Sequence, residues 1–110
     1  MRGTAIGILA RVVLLLALLA SPAFGASQKD RDDCAALNGD AQIAACTRVI
    51  DDKTESVENR AAAYDNRGDA WFEKEDYARA RADYTAAIEL DPNLASAYSG
   101  RGLTWEAEED

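Results

Sequence analysis

No histidine occurs anywhere in the 110 residues, and there are only two cysteines, two prolines and one methionine. Without imidazole the chain lacks the side chain most often used as a general base near neutral pH. Two cysteines alone do not make a zinc site. A nucleophile elbow and a glycine-rich phosphate loop are missing too, so the parts from which catalysis is usually assembled are absent and the chain reads as a non-enzyme without a cofactor. The doublets Asp32-Asp33 and Asp51-Asp52 match no ordered calcium loop and read as solvated helix ends. Positive charge is scarce as well: 12 Lys and Arg stand against 20 Asp and Glu, a net charge of −8. Nucleic acid and anionic membrane surfaces carry the same sign and are disfavoured as partners, whereas a basic protein or peptide is compatible.

Long apolar runs are equally rare. The one present, Val12 to Ala20, covers nine residues, preceded by Arg2 and Arg11 and followed by Ser21-Pro22 and the small residues Ala23 and Gly25 around Phe24. Spanning a bilayer takes about 20 residues. The layout is that of a secretory signal peptide over residues 1–25, with cleavage after Gly25 or, second, after Ala23; an uncleaved anchor is the alternative. Its removal takes away two arginines and no acid, moving the net charge to −10. No stable membrane association is expected afterwards. In an exported segment Cys34 and Cys46, with eleven residues between them, are expected to form an intrachain disulfide. A loop of that size stabilises a fold by about 3 kcal/mol in the chain-entropy account.

What the sequence does have is an internal repeat. Shifting it by 34 residues aligns YDNRGDAW (64–71) with YSGRGLTW (98–105), and four of the eight positions are identical: Tyr64 and Tyr98, Arg67 and Arg101, Gly68 and Gly102, Trp71 and Trp105. Tyr64, Gly68 and Trp71 fall at i, i+4 and i+7, one face of a helix predicted from Val57 to about Lys74 with Ser56 as N-cap. A second helix, Asp76 to about Leu90 and capped by Asp76, places Tyr77, Ala80, Tyr84, Ala87 and Ile88 on one face. Asp91-Pro92 is expected to end that helix and begin the next, Asn93 to about Glu106, with Asp91 as its cap. Upstream, Gln28 to Asp52 reads as a shorter pair: a helix around Asp30 to Leu37, a turn at Asn38-Gly39-Asp40, and a helix whose Ile43, Cys46, Val49 and Ile50 share a face. The first repeat copy also spells Arg67-Gly68-Asp69, an adhesion tripeptide. On a helix the arginine and aspartate diverge by about 200°, and the second copy reads Arg101-Gly102-Leu103, so adhesion is disfavoured.

Residues 61–94 resemble the tetratricopeptide repeat family: Tyr64, Gly68, Trp71, Ala80, Tyr84, Ala87 and Pro92 stand at that repeat's fourth, eighth, eleventh, twentieth, twenty-fourth, twenty-seventh and thirty-second positions. Arg67 departs from the large aliphatic residue usual at position seven. Glu75 departs from the frequent glycine at position fifteen, where a left-handed backbone costs other residues about 1 kcal/mol or more. The resemblance implies an all-α solenoid of about two and a half repeats: a degenerate first pair with the disulfide (26–56), one complete repeat, and the first helix of a further one within 57–110. That last helix is either a solvating cap or part of a longer array. Gly68 and Ala80 are then small because paired helices approach most closely there, with Tyr98, Gly102 and Trp105 at the matching positions of the last helix.

The resemblance further implies protein or peptide binding in a concave groove lined by first helices. Its positions here are Ala62, Asp65, Asn66, Asp69, Phe72 and Glu73, then Ser96, Ser99, Gly100, Leu103 and Glu106. The family branch that clamps C-terminal carboxylates carries lysine and arginine at such positions, so the acids Asp65 and Asp69 point instead to a basic or neutral segment. A solvated face, self-association of the repeat ends, and a small secreted effector or inhibitor are the other readings. The alanine-rich repeat behind such a signal looks bacterial, which implies a periplasmic or secreted protein.

Overall fold

The computed structural model describes residues 25–110, so the expected signal peptide, apart from its last residue Gly25, lies outside the described residues. Five helices follow one another: α1 (Gln28–Ala36), α2 (Gly39–Asp51), α3 (Val57–Glu73), α4 (Tyr77–Leu90) and α5 (Ala95–Glu109). Among the described residues there is no strand. Antiparallel pairs α1·α2 and α3·α4 stack side by side, and α5 packs on α4 and α3 as a further half-pair. The architecture is an all-α stack of helical hairpins.

Local chemistry sets the helix limits. Ser27 caps α1 through a capping box: its hydroxyl accepts the Asp30 N–H at 3.1 Å, and the Asp30 carboxylate accepts the Ser27 N–H at 3.1 Å. Ser56 caps α3 by accepting the Asn59 N–H, and Asp76 caps α4 by accepting the Arg79 N–H. Between α3 and α4 the chain turns through Glu75 at φ 61°. The Asp76 N–H reaches the Trp71 carbonyl and the Glu75 N–H reaches the Phe72 carbonyl, both at 2.9 Å. Those two bonds are the pairing of a Schellman motif, with glutamate at the position that favours glycine.

The start of α5 differs from expectation. Asp91 does not cap it. Its carboxylate accepts the Asn93 N–H at 3.0 Å and its carbonyl accepts the Leu94 N–H at 3.1 Å, so residues 91–94 form a local turn and the helix begins at Ala95. The residue before a proline is pushed toward extended backbone, and Asp91 sits at φ −134°, where its side chain satisfies the turn instead.

Two small cores hold the stack. Cys34, Ala45, Cys46, Val49, Ile50 and Ala63 form one; Ala80, Tyr84, Ala87 and Ala97 form the other, with Trp71, Phe72, Ile88 and Leu94 against it. Tyr64 touches both and joins them. Within α2, Ile43 is only partly buried; Gln42 turns inward and donates its amide to the Cys34 carbonyl at 3.0 Å. Helix approach is closest at glycine. A Cβ on Gly68 would stand 2.8 Å from the Tyr84 ring, and one on Gly100 would stand 2.5 Å from it, so a single tyrosine fills the space between α3, α4 and α5. The first pair replaces this contact covalently: Cys34 lies 34 residues before Gly68, Cys46 takes the tyrosine's place on the second helix, and the two form a disulfide.

Candidate functional site

The first helices α1, α3 and α5 share one face of the stack, and two clefts open along it. The cleft between α1 and α3, of about 100 Å³, is bordered by Arg31, Ala35, Ala62 and Asn66. The cleft between α3 and α5, of about 200 Å³, is bordered by Asp69, Phe72, Glu73, Gly100 and Leu103, with Tyr84 of α4 reaching through from behind. Ala62, Asn66, Asp69 and Glu73 recur at helical spacing, which lays them along the outer edge of α3. Ala62, Asp69, Glu73, Ser96, Ser99 and Glu106 are exposed. Phe72 is half-buried, its ring tilted against Tyr77 at a centroid distance of 5.4 Å, and Leu103 is 52% exposed.

Three of the expected groove residues play other parts. Asp65 is buried: one carboxylate oxygen accepts the Ser96 hydroxyl at 2.6 Å and the other has no partner, so the residue ties α3 to α5. Burial pushes its carboxyl above the ordinary range, the bond from Ser96 opposes the shift, and the neighbouring Asp69 charge adds to it. Gly100 is a buried packing position against Tyr84. Asn66 is half-buried, its amide 3.9 Å from the Cys34 sulfur, a contact between α3 and the disulfide. Asp69 stays at the surface and accepts the Tyr84 hydroxyl at 2.6 Å. Burial first, then this bond to a carboxylate, raises the tyrosine's pKa, so the phenol stays protonated and serves as a fixed donor.

Arg67, a departure from the family pattern that recurs as Arg101 in the second copy, makes several polar contacts across the repeat. Its guanidinium makes a two-pronged pair with Asp83 of α4 (2.7 and 2.8 Å), donates to the Thr47 hydroxyl of α2 at 3.0 Å, and lies 5.5 Å from the Tyr64 ring centroid. Pairing with Asp83 raises the guanidinium's already high pKa, against the opposing effect of burial. The adhesion tripeptide is thereby dismantled: Arg67 points between helices, Gly68 is buried, and Asp69 holds Tyr84. The signal available in the sequence was the presence of the same arginine in both copies of the 34-residue repeat.

Within the doublets read as solvated helix ends, Asp33 pairs with Lys29 one turn away, and Asp52 accepts bonds from the nearby Thr54 and, across 26 residues of chain, from the Ala26 N–H. At the packing positions Tyr64 and Trp71 are half-buried and Ala80, Tyr84 and Ala87 fully buried. Tyr98, Gly102 and Trp105 are exposed although they occupy equivalent positions, because among the described residues no helix lies against that side of α5. Pro92 is exposed in the turn, where the Tyr98 hydroxyl donates to its carbonyl at 3.0 Å.

Residues 68–106 match the family model described as TPR repeat. Over that stretch the stack is similar to a tetratricopeptide repeat. Neither the curated proteins nor the solved structures compared with the chain include a match. The matched stretch runs from Gly68 through the α3–α4 turn and α4 into α5, so it contains both glycines that embrace Tyr84. TPR repeats generally mediate protein–protein interaction and are typically non-catalytic.

Proposed function

We propose that this protein binds an extended segment of a partner protein along the α1–α3–α5 face, and that the segment is basic with at least one large apolar side chain. The observation that carries the reading is the α3–α5 cleft: an apolar floor of Phe72, Leu103 and the Tyr84 ring beneath a rim of Asp69 and Glu73. An apolar anchor would enter the cleft while lysine or arginine meets the rim, which divides affinity between burial and charge. Asp65 takes no part in capture because it is buried against Ser96.

The compartment is proposed to be exported. The Cys34–Cys46 disulfide supports this, since such bonds persist in oxidising surroundings, and among the described residues no helix is long and apolar enough to cross a membrane. Cleavage after Gly25 would make Ala26 the first residue. Its N–H already sits 2.7 Å from the Asp52 carboxylate, so a freed ammonium would face a counter-charge in place. Intact mass of the exported protein, with and without reductant, reads the cleavage site and the disulfide together.

Fluorescence polarisation with labelled extended peptides, each carrying two lysines around a leucine or phenylalanine, tests the groove. Binding should weaken about tenfold in the Asp69→Asn/Glu73→Gln double variant and weaken again with added salt. Leu103→Ala should reduce affinity at every salt concentration. Equal affinity for wild type and the double variant would remove the groove as the binding face.

A further inference from the structure

Ala26, just ahead of α1, packs against the upstream core, and its main chain is held on both sides. Its N–H donates to the Asp52 carboxylate at 2.7 Å; its carbonyl accepts the Arg31 guanidinium at 3.3 Å, and that guanidinium is fixed by Glu55 at 3.1 and 3.2 Å. Asp52 and Glu55 both belong to the loop joining α2 to α3, so one residue ties the start of α1 to that loop. The other Asp52 oxygen accepts the Thr54 N–H and hydroxyl at 2.9 and 2.7 Å, which anchors the carboxylate. The Thr54 bonds first, then the one from Ala26, hold this carboxyl below its ordinary range, so it is charged at neutral pH. Gly25 marks the boundary. It is exposed at φ 74°, and a Cβ there would overlap the same carboxylate. The charges around the Ala26 nitrogen are Asp30 and Arg31 of α1, Arg48 and Asp51 of α2, and Asp52 and Glu55 of the loop. Arg48 pairs with Asp30 and Arg31 with Glu55, whereas among the described residues Asp52 has no ion pair. An anchored carboxylate thus faces a main-chain nitrogen that carries no charge until the preceding peptide bond is cut.

We propose that cleavage after Gly25 turns this hydrogen bond into a structural ion pair between the Ala26 α-ammonium and Asp52, a latch that fastens α1 to the α2–α3 loop in the processed protein only. The latch rests on the export and cleavage proposed above. Hydrolysis of the Gly25–Ala26 bond by a processing peptidase consumes one water. The C–N bond breaks, the water's hydroxyl joins the Gly25 carbonyl carbon, and that residue departs as a carboxylate. The Ala26 nitrogen takes the water's remaining proton and the one released by the new carboxyl, becoming an ammonium. Three donors replace one, and attraction between full charges is added to the bond. Because Arg31 borders the α1–α3 cleft, holding Ala26 also steadies one wall of the groove. An ammonium paired in this way keeps its proton to higher pH. The stability it adds is complete below the ordinary α-amino value of about 7.7–8.0 and is lost as pH rises through the raised folded value.

The test expresses the full chain with its own leader, purifies the exported protein and fixes its first residue by intact mass. The Ala26 α-amine is then titrated by NMR in wild type and in Asp52→Asn, whose amide oxygen still accepts from Thr54. In wild type the amine should bind its proton about tenfold more tightly than an ordinary α-amine, and in Asp52→Asn it should titrate as an ordinary one. Urea midpoints should give wild type an advantage over Asp52→Asn that shrinks from about pH 8 to about pH 10. A mass that begins at any residue other than Ala26 overturns the cleavage reading and the latch with it. A chain that begins at Ala26 but titrates ordinarily in wild type overturns the latch alone and leaves the cleavage standing, as does a urea advantage that stays constant over that range. A raised value that Asp52→Asn fails to lower would place the ammonium on Asp30 or Asp51 and overturn the part assigned to Asp52.

Discussion

Glu75 and Asp65 each hold a conformation or an environment that their chemistry disfavours, and each therefore offers a direct measurement. Glu75 adopts φ 61° between α3 and α4, in the region where a Cβ crowds the following carbonyl. The Schellman bonds around it explain why the turn survives the substitution. Replacing Glu75 with glycine should raise stability by about 0.5–1 kcal/mol after allowing for the extra freedom of the unfolded glycine chain. Urea unfolding reads the difference as a shifted midpoint with unchanged slope. Asp65 has its pKa raised by burial, so its sign is opposite to that of a salt-bridged acid: the folded state holds the proton more tightly than the unfolded chain. Its contribution to stability is retained below the ordinary value of 3.8 and is lost as pH rises through the raised folded value. Asparagine keeps an acceptor for Ser96 and does not titrate. The stability of Asp65→Asn relative to wild type should therefore increase as pH rises through that window and then level off, and a pH-independent difference would show that burial of the charge is not what shifts this group.

Helix positions, and two of the caps, could be read from the chain because periodicity and side-chain oxygens act locally: Ser56, Asp76 and the apolar spacing of α3 and α4 needed no tertiary information. The left-handed turn at Glu75 followed from the repeat pattern in the same way. What escaped the sequence depends on which helices become neighbours. Asp65 looked like an exposed groove acid until Ser96 of α5 was placed over it, and Arg67 looked anomalous until Asp83 and Thr47 closed on it from two different helices. The glycines divide by the same rule. Gly68 and Gly100 face the Tyr84 ring at distances too short for a methyl group, whereas Gly102, identical to Gly68 in the repeat pattern, faces open space. Alanine at position 68 or 100 should destabilise by about 1–3 kcal/mol through overpacking. Alanine at position 102 should stabilise by about 1 kcal/mol through helix propensity alone. Thermal unfolding of the three variants would reverse this order only if the helix approach runs along a different face of α5.

At the scale of the whole molecule the stack is nearly one-dimensional, each helix touching its immediate neighbours, and stability is then a sum of local units joined by thin interfaces. The upstream core draws on α1, α2 and α3 and includes the disulfide; the downstream core contains no residue of α1 or α2, and Tyr64 alone is shared. Where α3 and α4 have a tyrosine wedged against glycine, α1 and α2 have the Cys34–Cys46 bond, which closes a loop of 12-residue separation. Removing it through Cys34→Ala/Cys46→Ala should cost about 3 kcal/mol in the chain-entropy account, a large share of what a chain this small can hold. The loss should fall unevenly. Amide hydrogen exchange should speed most in α1 and α2, while α4, packed around Tyr84 and Ala97, keeps most of its protection, because the downstream core has its own apolar side chains and its own glycine contacts. Uniform acceleration across all five helices would mean that Tyr64 couples the two cores into one cooperative unit, and the stack would have to be treated as a single folding domain.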